Sequence, residues 1–92
     1  MTNLIFNLQE ADTSKTYGHL YLSPLTSSFS YSGSIVMGDS YVQQITQPSF
    51  IVYNVIPTSY NVRISTQYTN TRFSIQVPET NGGVLDITTL II

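Results

Sequence analysis

The chain has 92 residues, of which 9% are charged, a formal net charge of −2 and no cysteine. That length holds one domain, and the missing cysteine removes disulfides, a thiolate metal site and a cysteine nucleophile. Sparse and net-negative charge argues against nucleic acid, which is bound through clustered Lys and Arg.

Thr2 to Leu8 predicts a first strand, with Leu4, Phe6 and Leu8 on its apolar face and Ile5 on the other. Gln9 to Thr16 is a polar connection whose Glu10, Asp12 and Lys15 read as a solvated loop. Gly18 to Ser23 predicts a second strand, Leu20 and Leu22 inward and His19 and Tyr21 outward, ended by Pro24. Leu25 to Ser34 mixes turn-formers with Phe29 and Tyr31. It is either a surface loop displaying both rings, which would mark a contact site, or a short strand carrying both on one face. Packing of the two rings beneath the loop is the preferred reading.

Ser34 to Met37 and Tyr41 to Thr46 read as a hairpin turned at Gly38-Asp39-Ser40. In the second run Tyr41, Gln43 and Ile45 alternate with Val42 and Gln44. Gln47-Pro48-Ser49 leads into a central pair of strands, Phe50 to Val55 and Tyr60 to Ser65, bent at Pro57-Thr58-Ser59. Phe50, Val52 and Asn54 share one face of the first, and Ile51, Tyr53 and Val55 the other. Tyr60, Val62 and Ile64 alternate with Asn61, Arg63 and Ser65 in the second. Gln67 to Thr71 is a polar turn. Arg72 to Val77 is a strand with Phe73, Ile75 and Val77 inward and Ser74 and Gln76 outward, stopped by Pro78. After a turn at Asn81-Gly82-Gly83, Val84 to Ile91 is a further strand, or a strand followed by one helical turn at Thr88 to Ile91. No segment holds a helical period. About six to eight short strands with turn signals between them describe a β-sandwich or a small barrel.

The chemistry is mostly exclusion. Nucleophilic catalysis needs a base beside the nucleophile, and the only histidine, His19, lies outward on a strand between Tyr17 and Tyr21. Five dispersed carboxylates and one histidine make no metal set. No glycine pattern for phosphate cradling is present. An enzyme, a cofactor and a metal are therefore not expected. Met1-Thr2-Asn3 has no basic n-region and Leu4-Ile5-Phe6 is shorter than an export-signal core, so no leader is expected. No run approaches the ~20 apolar residues of a membrane helix, so no membrane partner is expected. The low charge and seven tyrosines suit a surface covered by neighbouring subunits, and suit equally a neutral, hydroxyl-rich β-domain. Tyrosine also builds sugar-stacking faces, although the Asp and Glu that commonly grip sugar hydroxyls are scarce.

Two stretches, Phe50 to Val62 and Tyr17-Gly18-His19-Leu20-Tyr21-Leu22-Ser23-Pro24, resemble the carboxypeptidase regulatory-like, or prealbumin-like, β-sandwich. The first is similar to that family's aromatic, Asn-Val-x-Pro turn and Tyr-x-Val, with Thr58-Ser59 where a glycine usually precedes the tyrosine. The resemblance implies an Ig-like antiparallel sandwich of about seven strands that is a structural or binding module. The whole chain, Asn/Gln/Ser/Thr-rich and nearly uncharged, also resembles small virion proteins of tailed bacteriophages, as does its ending Phe73 to Glu79 and Asp86 to Ile91. That resemblance implies a decoration, neck, tail or fibre-adaptor subunit, assembled in the host cytoplasm and resident in the virion. Its expected partners are other virion proteins or further copies of itself, contacted through Phe29, Tyr31, Tyr21, His19, Leu90, Ile91 and Ile92. The alternative is a carbohydrate- or surface-binding module.

Overall fold

The computed structural model describes residues 1–8, 18–38, 40–66 and 70–92. The expected connection at Gln9 to Thr16, the neighbour Tyr17, the turn residue Asp39 and residues 67–69 of the polar turn lie outside the described residues. The described residues form strands β1 (Thr2–Asn7), β2 (Gly18–Pro24), β3 (Ser28–Tyr31), β4 (Ser34–Met37), β5 (Tyr41–Ile45), β6 (Ser49–Val55), β7 (Ser59–Thr66), β8 (Asn70–Gln76) and β9 (Val84–Asp86), followed by one 3₁₀ turn (Ile87–Thr89).

Seven strands make two sheets, ordered β6-β1-β9 and β5-β2-β7-β8. Their inner faces meet in one core. Leu4, Phe6, Val52, Val55 and Ile87 come from the first side, and Leu20, Leu22, Ile45, Tyr60, Val62, Ile64 and Ile75 from the second. The protein is thus an all-β sandwich. Alternation explains it: a side chain every second residue points inward, and burying each large one contributes roughly 1.5–3 kcal/mol. Phe6 and Phe50 sit opposite each other on β1 and β6, with rings stacked at 5.1 Å.

The pairing differs from the sequence expectation in several places. β4 does not pair with β5 across Gly38-Asp39-Ser40. It pairs with β3 across Ser32-Gly33, and β5 pairs with β2. Leu25 to Ser34 therefore hides a strand. The two central runs, β6 and β7, belong to different sheets, and Pro57-Thr58-Ser59 carries the chain across the core. There the Tyr60 hydroxyl donates to the Ile56 carbonyl at 2.7 Å, fixing the corner. Asn54 does not share a face with Val52. Its φ of 58° and the register shift opposite Asn3 make a bulge, which returns Val55 to the core. Asn3 supports the bulge by accepting from the Asn54 N–H at 2.9 Å and donating to the Gly82 carbonyl at 3.0 Å.

Asn70 and Thr71 join β8 rather than the turn before it. All pairings are antiparallel except β1 with β9, which is parallel. Among the described residues nine strands stand where about seven were expected, because β3 and β4 form a hairpin outside both sheets. The chain after β9 takes the strand-then-turn alternative, with the turn at Ile87–Thr89, one residue earlier than expected. Ile91 then bridges to Ile75 beside β8.

Candidate functional site

The outer face of β5-β2-β7-β8 carries a cross-strand row of Val42, Tyr21, Arg63 and Arg72. It exists because β2, β7 and β8 each turn their even-period apolar residues inward and leave the alternate ones outside. Arg63 lies over Tyr21, its Cζ 4.1 Å from the ring centroid, a cation–π contact across the β2–β7 pair. Arg72 stands directly opposite Arg63 on β8. Like charges directly opposite each other destabilise a sheet. Among the described residues neither guanidinium makes an ion pair, and the buried Arg63 Nε has no hydrogen-bond partner.

The next row holds Ser23, Asn61 and Ser74, with Ser74 donating to Asn61 Oδ1 at 3.1 Å. Tyr21, Arg63 and Arg72 of the first row and all three residues of the second line an open groove of about 670 Å³. His19 flanks it, its ring 6.2 Å from that of Tyr21. The arrangement offers two cations, hydroxyls and an amide. No group of three or more His, Cys, Asp or Glu able to hold a metal occurs among the described residues.

A second region gathers around Glu79. Its carboxylate takes an ion pair from the Met1 amino group and a 2.6 Å hydrogen bond from the Tyr31 hydroxyl. The amino group, then Tyr31, then the Asn81 N–H hold the Glu79 carboxyl down to about 2. Tyr31 is raised above its ordinary value, chiefly by that same bond. The contact pins β3 to the sandwich. The opposite side of the hairpin is bare, with Ile35 75% and Met37 69% exposed.

The sequence-predicted contact residues thus fall in three places. His19 and Tyr21 are together on the groove face. Phe29 and Tyr31 are half-buried on the hairpin rather than displayed. Leu90 packs against the core, whereas Ile91 and Ile92 are exposed beside β8. Sequence reasoning missed Arg63 and Arg72 as a pair, Glu79 as an anchor, and Ile35 and Met37 as the exposed side of the hairpin. The first was readable only with the β7–β8 register in hand. The alternation Ser34-Ile35-Val36-Met37 did carry the last, once a partner strand was assigned to it.

No family model matches the chain, and no curated protein matches it.

Proposed function

We propose that the protein is a non-enzymatic virion structural subunit that docks through the bare side of its β3–β4 hairpin onto repeated subunits of a particle. The observation that carries this reading is the pair Ile35 and Met37, exposed on a hairpin outside both sheets. Two-stranded hairpins alone are marginal in water, and large exposed apolar side chains on such an element call for a covering surface. Ile92, 74% exposed, adds to the apolar supply. Setting the hairpin's two strands apart from the nine leaves seven in two sheets, the number implied by the prealbumin-like, Ig-like resemblance. That resemblance belongs to structural and binding modules and supports the same reading.

The test is light scattering over a concentration series on the chain and on the double variant Ile35→Ser/Met37→Ser. A closed oligomer that the double variant reduces to monomer supports docking through the hairpin, since closed symmetric assemblies are the common form. An oligomer indifferent to both substitutions overturns it.

The second reading, a carbohydrate-binding module, is favoured by the hydroxyl- and amide-rimmed groove beside Tyr21.

A further inference from the structure

We propose that the outer face of β2-β7-β8 binds an acidic saccharide, whose carboxylate is taken by Arg63 and Arg72 and whose hydroxyls meet Ser23, Asn61 and Ser74. This inference goes beyond docking through the hairpin and rests on the second, carbohydrate-binding reading, to which it gives a chemistry.

Three observations carry it. First, two of the chain's three Lys and Arg residues stand opposite each other on one face of a protein with net charge −2. Both line the same open groove, so an anion seated there meets two arginine side chains. Guanidinium groups suit a carboxylate because their paired N–H groups match its two oxygens. Second, Arg63 is already oriented by Tyr21, and its buried Nε–H lacks a partner among the described residues. A buried donor left unpaired is costly, so the contact with Tyr21 holds Arg63 in place at a cost in hydrogen bonding. Third, the rim is made of neutral, short hydrogen-bonding side chains: Ser23, Asn61 and Ser74. Such groups pair with hydroxyls and add no charge of their own. The groove, about 670 Å³, has the size of small-ligand sites. A nucleic-acid backbone is a poorer occupant, because binding it draws on many cations, and only two stand here.

The experiment is an NMR titration of the whole chain with digalacturonate, with sialyllactose and with neutral lactose, repeated on Arg72→Gln and on Arg63→Gln. Arg72 is exposed, so its substitution leaves the core untouched. The expected result is saturable shifts of the Tyr21, Ser23, Asn61 and Ser74 amides with one or both acidic sugars and none with lactose. Arg72→Gln weakens binding about tenfold or more, as loss of a charge-assisted hydrogen bond does. Equal binding of lactose overturns the proposal. So does silence with both acidic sugars, or affinity unchanged in both arginine variants. A Glu-rich peptide run in parallel, binding where the sugars do not, also overturns it and assigns the groove to protein. The hairpin variant Ile35→Ser/Met37→Ser retains sugar binding, so failure of docking and failure of this site are read separately.

Discussion

The Tyr31 hydroxyl donates a 2.6 Å hydrogen bond to Glu79 Oε1, joining the middle of the chain to the segment that leads into β9. It connects a hairpin that pairs with neither sheet to the end of the sandwich where Met1 also lies.

The contact has a pH signature. Glu79 is held down to about 2, against an ordinary 4.5, by the Met1 amino group first and Tyr31 second. A carboxyl whose folded pKa is depressed contributes stability above its unfolded value, and that contribution is lost as pH falls through the folded value. The anchor is therefore complete above pH 4.5 and fades between there and about 2. Carbon-detected NMR of the Glu79 carboxyl is expected to give a midpoint near 2, moving upward in Tyr31→Phe. A midpoint at 4.5 in the unaltered chain removes the anchor.

Tyr60 governs the crossing between sheets. It is buried, its hydroxyl bonds the Ile56 carbonyl at 2.7 Å, and burial raises its pKa. Tyr60→Phe keeps the ring and deletes the bond. The expected loss is about 1 kcal/mol in urea denaturation, the net worth of one such hydrogen bond, or roughly 4–8 °C in Tm for a domain of this size. An unchanged midpoint means that water replaces the bond and the corner is held by packing alone.

How much of this was legible in the chain follows a physical line. Alternation identified the inward faces of β1, β2, β7 and β8, because Leu4, Leu20, Val62 and Ile75 have no other way to leave water. It did not identify partners. Gly38-Asp39-Ser40 and Ser32-Gly33 both have turn chemistry, and only the packing of the other strands decides that β5 joins β2 rather than β4. The bulge at Asn54 broke the period of two without a local signal beyond Asn's tolerance of positive φ. Thr2 falls on the inward face with Leu4 and Phe6 and is fully buried, its hydroxyl donating to the Pro78 carbonyl, a partner no local pattern announces. The arginine row follows from register, which is a long-range property. Each arginine was visible singly as an outward or terminal strand residue.

Gly18 marks a place where strands approach closely. A Cβ there would lie 1.9 Å from the Ser65 carbonyl oxygen across the β2–β7 pair. Neither strand is free to move, since β2 and β7 are the inner strands of their sheet. Gly18→Ala is expected to cost about 3 kcal/mol or more, the upper range for overpacking. Equilibrium unfolding checks it. A loss below about 1 kcal/mol, the ordinary effect of a point substitution, shows that the strands part more easily there than the geometry implies.

The turn at Ser32-Gly33 offers the last and most direct handle on the hairpin. Both residues have positive φ, 50° and 80°, the combination of a type I′ turn, for which Asn-Gly is the preferred pair. Ser32→Asn supplies that pair, and Gly33→Ala forces a Cβ into the left-handed region, at roughly 1–2 kcal/mol. Because β3 and β4, among the described residues, pair only with each other, both changes are expected to act on the hairpin and to leave global unfolding almost untouched. Amide exchange reads the difference. Protection of β3 and β4 rises in Ser32→Asn and falls in Gly33→Ala, while β2 and β7 keep theirs. If protection of the hairpin instead follows global stability in every variant, hairpin and sandwich unfold as one unit, and Ile35 and Met37 are carried on a rigid surface rather than on a separable arm.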